Sequence, residues 1–302
     1  MYRLFLLRKN QQILVNVSMK MLILHVAIII KVEEEMAGLT LEIGRVQIRA
    51  IEVVVLLGMG AREEDLLKRV AKAPSASIPK LSSFMFTGII QSIALILSIK
   101  DQKNLRTITL DFKEHFCSDL AIGASVSVDG VCLTVTKLHT TSRVDVDVML
   151  QTLMTTTFRE ATVGMRVNVE RAAKAGAEIG GHALSGHIDF CGNIIDIQKP
   201  ENNYVLTIEI PPRFMRYIFS KGYIALNGTS LTISELNRDQ RSFQVWLIPE
   251  TLQKTTWLEK NIHDLINVEI DRNTQVIVDT VRTAVEEQFE LLREQGLSLC
   301  AA

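Results

Sequence analysis

The sequence predicts a mainly β protein built from two similar domains, with a helix at its C-terminal end. Three observations in the 302 residues support this fold class. From Phe84 onward, short strand-like runs are separated by turn signals. A series of motifs then recurs further along the chain, and apolar residues at helical spacing follow the second copy.

The strand prediction rests on five short runs bounded by turn residues. They are Leu105–Phe112, Ser125–Val128, Val131–Leu138, Val144–Met149 and Val167–Val169. Polar and apolar residues alternate in Arg106–Leu110, which favours a half-buried antiparallel strand. Runs of this length and spacing are typical of a small β-barrel or β-sandwich.

Two turn-and-strand stretches match each other. Asp129–Val135 begins with Asp-Gly and Asn227–Ile233 with Asn-Gly, and both dipeptides favour a hairpin turn. In a strand, the side chains of Cys132 and Thr134 share one face, as do those of the matching pair in the second stretch. Ser230 takes the place of Cys132 in the second stretch. Taken alone, each stretch is typical of an ordinary hairpin with exposed polar residues.

The match extends well beyond these hairpins. The segment Thr87–Ile89 and the turn residue Gly130 both have counterparts 98 positions later. The blocks Gln151–Phe158 and Val167–Glu170 recur 99 positions later. Matched blocks in one order at nearly one spacing indicate an internal duplication. Repeats of this length imply two similar domains rather than a solenoid.

A helix is predicted over residues 280–296. The apolar residues at helical spacing are Val281, Ala284, Val285, Phe289 and Leu292. Thr280 is a candidate N-terminal cap, and Gly296 is a candidate stop. The apolar stripe packs either on its own barrel or on another subunit, and the stripe alone does not choose between these alternatives.

Composition argues against several function classes. A formal net charge of −1 gives no general attraction to nucleic acid or to an anionic membrane. The four cysteines are scattered without CxxC pairs, which indicates reduced thiols in an intracellular protein. His182, His187 and Cys191 have a spacing that invites a metal site. No second ligand pair accompanies them, so no metal is predicted.

Residues 1–84 are an N-terminal extension of unknown role. Met21–Ile30 is largely apolar but too short to span a bilayer. No small-residue cleavage site follows it, and Glu63–Asp65 argues against a transit peptide over the whole segment. Ile51–Leu57 is compatible with a buried strand or helix, and Ala73–Pro79 with a linker. A processed leader, an over-long gene model and a domain remain alternatives.

Six stretches together resemble riboflavin synthase. They are Met85–Ile90, Gly130–Val135, Val167–Ala172, Gly180–His187, Gly228–Thr232 and Ile248–Leu252. The resemblance runs from Met85 to Gln295 and preserves the duplication. It implies two six-stranded Greek-key β-barrels, residues 85–183 and 184–279, followed by the C-terminal helix. The N-terminal extension lies outside the family pattern.

The resemblance also implies an activity. The family converts two molecules of 6,7-dimethyl-8-ribityllumazine into riboflavin and 5-amino-6-ribitylamino-2,4-pyrimidinedione by transfer of a four-carbon unit, without cofactor or metal. It implies a homotrimer, with the active site between the first barrel of one subunit and the second barrel of a neighbour. It leaves an association with lumazine synthase open. No nucleic acid or membrane partner is expected, and the expected location is cytoplasmic, or plastid if the extension acts as a leader.

Site residues are carried over position by position. The residues that match positions considered important for catalysis are Ser125, Cys132, His187, Thr232 and Asp271. The residues expected to bind substrate on the first-half and neighbouring surfaces are Gly88, Ile89, Ile90, Cys132, Leu133, Thr134, Asp147, Val148, Met149, Leu150, Gln151, Thr152, Gly186, His187 and Ile188. Those expected on the second-half surface are Lys221, Ser230, Leu231, Thr232, Ile248, Pro249, Glu250, Thr251, Leu252 and Gln253.

The roles of these residues are hypotheses with ordinary alternatives. Cys132 and Ser125 are assigned to activating a nucleophile or its addition to the acceptor ring. His187 is assigned to orienting or relaying a proton, because imidazole titrates near neutral pH. Alternatively, Cys132 is a buried strand thiol, while Lys221 and Asp271 are surface charges.

Two other functions stay open beside the enzyme. Lumazine-carrying antenna proteins share the duplicated barrels without the catalysis, and a duplicated barrel also suits an unrelated small ligand. Retention of polar groups in both halves favours the enzyme. A dismutation uses one compound as both donor and acceptor, so two similar pockets suit its chemistry. Gln151 stands where the family usually has an acidic residue, which affects the detail of the first pocket rather than the fold.

Overall fold

The computed structural model describes residues 2–8, 11–17, 86–113, 115–174, 176–201, 203–294 and 297–300. The chain divides into two compact units, residues 83–278 and residues 1–82 with 279–302. In the latter unit, an antiparallel sheet has the strand order β15-β1-β2, formed by Leu297–Cys300, Tyr2–Arg8 and Gln11–Val17. The predictions for Met21–Ile30, Ile51–Leu57 and Ala73–Pro79 lie outside the described residues.

The first barrel is a closed antiparallel sheet of six strands. They are β3 (Ser92–Gln102), β4 (Leu105–Asp111), β5 (Ser125–Val128), β6 (Val131–Leu138), β7 (Arg143–Met149) and β8 (Arg166–Arg171). Their order is β3-β4-β7-β6-β5-β8, so three hairpin-linked strands return beside β4 in a Greek key. Along β7, Val144, Val146 and Val148 are fully buried, and the polar residues between them face outward.

The second barrel repeats this topology strand for strand. Its strands are β9 (Phe190–Gln198), β10 (Tyr204–Glu209), β11 (Tyr223–Leu226), β12 (Thr229–Asn237), β13 (Ser242–Leu247) and β14 (Leu265–Ile270). Their closed order is β10-β13-β12-β11-β14-β9. Each barrel encloses its own apolar core. The predicted strand runs and the pair of six-stranded barrels are confirmed.

Short helices follow the same duplication. The helix α1 (Leu150–Thr155) leaves β7, and α2 (Pro249–Lys254) begins two residues after β13. The 3-10 helices Thr157–Glu160 and Trp257–Glu259 also match, whereas Pro212–Tyr217 has no helical counterpart among the described residues of the first barrel. Trp257 is fully buried in the second core, and its indole N–H donates to Thr229 Oγ1 at 3.2 Å.

The C-terminal helix α3 (Arg272–Glu294) is longer than the sequence predicted. The predicted start at Thr280 is wrong, because the helix begins directly after Asp271. The Asp271 carboxylate accepts hydrogen bonds from the N–H and the hydroxyl of Thr274, at 2.9 and 2.7 Å, which is the geometry of an N-terminal cap. Gly296 lies outside the described residues. Among the helices that the structure describes, none has the length and apolar content to cross a bilayer.

The two barrels meet at the tips of the matching hairpins. Gly130 and Gly228 approach so closely that a Cβ on Gly130 would lie 2.7 Å from the nitrogen of Gly228. Two fully buried asparagines cross this contact. Asn168 of β8 donates through its side-chain amide to the carbonyl of Asn227 at 3.0 Å, and Asn267 of β14 donates to the carbonyl of Asp129 at 2.9 Å.

Each asparagine also accepts a bond from the other half. Asn168 Oδ1 accepts from the N–H of Thr256 at 2.9 Å, and Asn267 Oδ1 accepts from that of Thr157 at 2.8 Å. A buried polar group that lacks its partner costs free energy, so these reciprocal bonds specify one arrangement of the barrels. The asparagine of the duplicated block, Val167–Glu170 and its counterpart Ile266–Glu269, therefore has a structural purpose.

The hairpin contact contains one chemical asymmetry. Asp129 is 1% exposed, and burial raises the pKa of its carboxyl to about 6. Its Oδ1 accepts from the N–H of Asn168, just as Asn227 Oδ1 accepts from the N–H of Asn267. An uncharged amide fills the same place in the second barrel without the cost of burying a charge.

We expect Asp129→Asn to stabilise the protein at neutral pH. The folded pKa of Asp129 lies above its ordinary value of 3.8, so the protonated form is favoured by folding, and stability falls as pH rises from about 4 to about 6. The substitution removes this loss, which is on the order of 3 kcal/mol at pH 7, and changes little at pH 4. Denaturant unfolding of both proteins at the two pH values measures the difference.

The reverse substitution provides the control. Asn227→Asp places a carboxyl in the matching buried position, so we expect it to destabilise the protein more at pH 7 than at pH 4. An Asp129→Asn protein with the same pH dependence as the unmodified chain would contradict the assignment of this loss to Asp129.

Candidate active site

The outer face of the first barrel carries a polar patch beside its hairpin. Ser125 on β5 lies opposite Thr134 on β6, which lies opposite Asp147 on β7. Thr134 is exposed and Cys132 is half-buried, whereas Leu133 between them packs in the barrel core. The outward direction of Cys132 and Thr134 agrees with the predicted alternation. The structure thus brings three predicted polar site residues and Asp147 onto one face.

The second barrel carries the equivalent patch with different chemistry. Tyr223 on β11 lies opposite Thr232 on β12, and both are exposed. Ser230 is half-buried at the position that Cys132 occupies in the first barrel. A thiol and a small hydroxyl in one patch therefore correspond to a hydroxyl and a phenol in the other.

Two short chain segments link the patches, and we call them the crossing segments. They are residues 86–90, which precede β3, and residues 184–188, which precede β9. The carbonyl of Gly88 accepts a hydrogen bond from the N–H of Ser230 at 2.9 Å, and the carbonyl of Gly186 accepts one from the N–H of Cys132 at 2.8 Å. Each half thus supplies its crossing segment to the polar patch of the other barrel.

Glycine is required at the centre of each crossing segment. Gly88 and Gly186 have φ angles of 76° and 78°, which side-chain-bearing residues rarely adopt. A Cβ on Gly186 would lie 2.5 Å from the Cβ of Cys132, and one on Gly88 would lie 2.5 Å from the Cβ of Ser230. The close approach places Ile89 at the second patch and His187 at the first.

The structure divides one predicted group of binding residues between the two patches. The sequence predicts Gly88, Ile89 and Ile90 on the first-half and neighbouring surfaces, and the hydrogen bond from Ser230 places Gly88 on the second barrel. The crossing segment therefore leaves the barrel to which it is joined in sequence. Gly186 of the same predicted group lies beside Cys132, in the first barrel.

The remaining predicted binding residues fall into two groups. Met149 and Ile248 are 66% and 58% exposed and lie where β7 and β13 lead into α1 and α2. In contrast, the side chains of Leu133, Val148 and Leu231 are buried in the barrel cores, so their backbone groups alone face the patches. The other predicted binding residues at the helix starts are Leu150, Gln151 and Thr152, and Pro249, Glu250, Thr251, Leu252 and Gln253.

Lys221 lies in the turn before β11 and is exposed. Its φ of 70° shows that the turn uses the left-handed region, and its N–H donates to the carbonyl of Ile233 at 2.8 Å. The turn is therefore fixed to β12 at the same end as Tyr223. This backbone contact places the exposed Lys221 near the second patch.

The Cys132 side chain is held as a thiol. Burial raises the pKa of Cys132, and a hydrogen bond with Ser125 partly opposes the rise. Glu269, a carboxylate of the second barrel, raises the pKa further. A thiol of this kind is a hydrogen-bonding group rather than a ready thiolate nucleophile. The contact between Cys132 and Ser125 nevertheless brings together two residues that the sequence linked.

His187 and Asp271 occupy different environments. His187 is exposed, and its carbonyl accepts a hydrogen bond from Arg272 at 3.0 Å. Asp271 has its carboxylate engaged in capping α3 through Thr274. Asp271 also lies close enough to His182 to act on that side chain electrostatically. The structure thus places His187 at the first patch and Asp271 towards the second.

His182, which the sequence singled out only for its metal-ligand spacing, lies beside the second patch. It is 7% exposed, its Nδ1 lies 2.7 Å from Ser230 Oγ, and its ring stacks on Tyr223 with centroids 5.1 Å apart. Burial lowers the pKa of His182 to about 4, although Asp271 opposes this, so the ring is neutral at physiological pH. Its Nε2 is buried without a protein partner among the described residues.

A cavity of about 640 Å³ lies along the first crossing segment. Its lining includes Thr87, Ile89, Gln91, Glu170 and Gly180. Ile89 joins it to the second patch, but none of the five predicted catalytic residues lines it. The hydrogen-bonded patches, rather than this cavity, therefore define the candidate site. The described residues contain no group of three or more His, Cys, Asp or Glu side chains suited to a metal ion.

Comparison with known proteins agrees with the duplicated architecture. The lumazine binding domain family matches the chain twice, at residues 87–172 and 185–271. Riboflavin synthase of Buchnera aphidicola subsp. Schizaphis graminum is 42% identical over 209 residues, which cover 69% of this chain and 99% of that protein. Riboflavin synthase of Escherichia coli (strain K12) is 40% identical over 213 residues, covering 70% and 99%. The chain belongs to the riboflavin synthase family.

Solved structures also resemble this member of the riboflavin synthase family. A crystal structure of LumP complexed with 6,7-dimethyl-8-(1'-D-ribityl) lumazine matches with a TM-score of 0.56 and 27% identity, covering 62% of this chain and 99% of LumP. LumP complexed with riboflavin matches with a TM-score of 0.57 and 28% identity over the same shares. The duplicated barrel is therefore shared with proteins whose structures hold lumazine and flavin ligands.

We expect Gly186→Ala to disable the first patch. The added Cβ clashes with the Cβ of Cys132. The left-handed backbone costs roughly a further 1–2 kcal/mol for a residue with a side chain. The crossing segment must then move, so we expect the rate of riboflavin formation to fall about tenfold or more. Steady-state kinetics with 6,7-dimethyl-8-ribityllumazine measures this rate.

Gly164→Ala is the matched control for backbone strain. Gly164 also has a positive φ, 90°, but a Cβ there would meet no atom within 4 Å. This variant should lose a similar amount of stability from its backbone while keeping its turnover. Equal losses of turnover in the two variants would show that strain, rather than contact with Cys132, causes the effect.

Proposed function

We propose that the chain acts as a riboflavin synthase on 6,7-dimethyl-8-ribityllumazine, using its two polar patches as donor and acceptor sites. The observation that carries this proposal is the pair of equivalent patches with different side chains. A dismutation needs two similar binding surfaces for one compound, and it also needs them to treat the two molecules differently. Two pairs of equivalent positions provide that difference. The first patch has Cys132 where the second has Ser230, and it receives His187 where the second receives Ile89.

The chemistry balances without a further reactant. Two identical molecules give one product that gains four carbons and another that loses them, and the two products together contain all the atoms of the substrates. No external oxidant or reductant is therefore needed. Holding two ring systems face to face makes the reaction effectively unimolecular, which is worth roughly 7–11 kcal/mol when the orientation is good.

The side chains suit proton transfer and hydrogen bonding better than covalent catalysis. The substrate carries an acidic methyl group, so an exposed imidazole such as His187 suffices to take or return a proton. Cys132 and Ser125 form a neutral hydrogen-bonded pair that suits orienting a nucleophile at the acceptor ring. In the second patch, Ser230 and Thr232 supply hydroxyls for the other ring, with Asp271 nearby through His182.

A lumazine-binding antenna protein is the second candidate. LumP structures support it, because they share the fold and hold lumazine or flavins. Retention of Ser125, Cys132, His187, Ser230 and Thr232 favours the enzyme, as does the higher identity to riboflavin synthases. Incubation of purified protein with 6,7-dimethyl-8-ribityllumazine separates the two, since tight binding without riboflavin absorbance would indicate the antenna class.

We expect His187→Ala to lower kcat for riboflavin formation about 100-fold, because general acid–base groups typically contribute on this scale. His263→Asn is the control, since His263 is exposed with a left-handed backbone that asparagine also tolerates. Riboflavin absorbance under saturating substrate gives kcat for both variants. Unchanged turnover in His187→Ala would remove His187 from the mechanism.

We further propose a homotrimer in which the first patch of one subunit faces the second patch of its neighbour. Both patches are open, with Met149 beside the first and Tyr223 in the second more than half exposed, so a second surface is needed to exclude water. The helix α3 carries an exposed apolar stripe at intervals of four residues, which supports its use as a subunit contact. The stripe comprises Ile277, Val281, Val285 and Phe289.

Association with lumazine synthase, and a cytoplasmic or plastid location, remain predictions from the family resemblance.

We expect Val285→Asp with Phe289→Asp to convert the trimer to monomers and to abolish turnover, because charges on the stripe oppose its burial. Sedimentation velocity of the full chain measures the mass. Glu286→Gln with Glu287→Gln, exposed residues on the same helix, should leave the trimer intact. An active monomer carrying the two aspartates would overturn the proposed intersubunit site.

A further inference from the structure

Two buried carboxylates stand at the base of the crossing segments. Glu170 in β8 and Glu269 in β14 are 1% and 2% exposed. They are the glutamates of the matching blocks Val167–Glu170 and Ile266–Glu269. The neighbouring asparagines donate hydrogen bonds to the hairpins, whereas the hydrogen bonds of these two carboxylates go to other residues. Both point towards the crossing segment of their own half.

Each carboxylate accepts three hydrogen bonds in the same pattern. Glu269 Oε1 accepts from the N–H and the hydroxyl of Ser185, both at 2.7 Å, and Oε2 accepts from the N–H of Gly186 at 3.0 Å. Glu170 accepts from the N–H and hydroxyl of Thr87, both at 2.6 Å, and from the N–H of Gly88 at 3.0 Å. All these partners are donors, so the acceptor-only carboxylate is the matching group.

The hydroxyls extend this contact to the next residue. Ser185 Oγ accepts a hydrogen bond from the N–H of His187 at 3.2 Å, and Thr87 Oγ1 accepts one from the N–H of Ile89 at 3.3 Å. A continuous chain of bonds therefore runs from Glu269 through Ser185 to the backbone of His187. The equivalent chain in the first half runs from Glu170 and ends at Ile89.

The far side of each crossing segment contacts the other barrel. Cys132 of the first barrel donates its N–H to Gly186, and Ser230 of the second donates its N–H to Gly88. Each crossing segment is thus hydrogen-bonded on one side to a carboxylate and on the other side to a strand N–H. Because the segment belongs to one barrel and the patch to the other, each glutamate acts across the junction between barrels.

We propose that Glu269 is the positioning residue that sets His187 at the first patch, and that Glu170 sets Ile89 at the second. The catalytic consequence rests on the proposed riboflavin synthase activity, whereas the placement of the segments does not. The two glutamates make the same bonds at the same burial, yet only one of them leads to an ionisable side chain. Their substitution therefore separates a general structural effect from an effect on His187.

The first test uses hydrogen exchange and needs no enzyme activity. In Glu269→Gln, the amide NH₂ group faces the N–H of either Gly186 or Ser185, so one bond becomes a contact between two donors. We expect the amide of Cys132, which donates to Gly186, to exchange about tenfold faster or more, with the amide of Ser230 unchanged. Glu170→Gln should give the opposite result, with faster exchange of the Ser230 amide and an unchanged exchange rate at the Cys132 amide.

The second test measures turnover. We expect Glu269→Gln to lower kcat more than Glu170→Gln does, and to have little further effect when His187→Ala is already present. The effects of Glu170→Gln and His187→Ala should instead multiply. Where a glutamine variant does not fold, Ser185→Ala and Thr87→Val remove only the hydroxyl link and serve as the matched pair.

Three results would overturn the proposal. These are equal exchange changes at both amides in each variant, faster exchange confined to the glutamate's own barrel, or independent effects of Glu269→Gln and His187→Ala on kcat. An unmodified protein that makes no riboflavin would instead refute the proposed function. In that case the crossed pattern of hydrogen exchange still tests the placement of the segments.

Discussion

The reciprocal hydrogen bonds of Asn168 and Asn267 are the interaction on which the rest of the structure depends. Each amide is fully buried, and each finds its partners in the opposite half of the chain. Apolar packing alone would tolerate several ways of pressing two barrels together, whereas buried amides are satisfied in only one. The tight approach of Gly130 and Gly228 follows from that fixed arrangement, and so does the path of both crossing segments.

On this symmetric frame, function requires asymmetry. The backbone contacts of Gly88 with Ser230 and of Gly186 with Cys132 are nearly identical, so the patches share one shape. Their side chains differ in the groups offered to a ligand, and the imidazole of His187 has no equivalent beside Ser230 except the neutral, buried ring of His182. Different side chains at a few positions on a common backbone are sufficient to place two molecules of one compound among different chemical groups.

Much of this architecture was predictable from the sequence, because turn residues and strict alternation are local signals. The hairpins at Gly130 and Gly228 and the duplication itself were visible in this way. The crossing of the segments was not, since sequence offsets pair equivalent positions and carry no information about which barrel a segment touches. The start of α3 was missed because Asp271 was considered for catalysis rather than as a cap. Glu170 and Glu269 appeared only as parts of a repeat, and their partners become apparent only in three dimensions.

The reciprocal hydrogen bonds of Asn168 and Asn267 also show what a single repeat lacks. A protein with a single repeat would leave its asparagine amide and its hairpin carbonyl without partners, unless a second copy of itself supplied them across a twofold axis. Two such copies would form a symmetric dimer with chemically identical patches. Joining the two copies in one chain keeps every one of the crossed contacts and allows the two sequences to differ. Covalent linkage, in this sense, is what permits a homodimer's paired surfaces to become a donor and an acceptor.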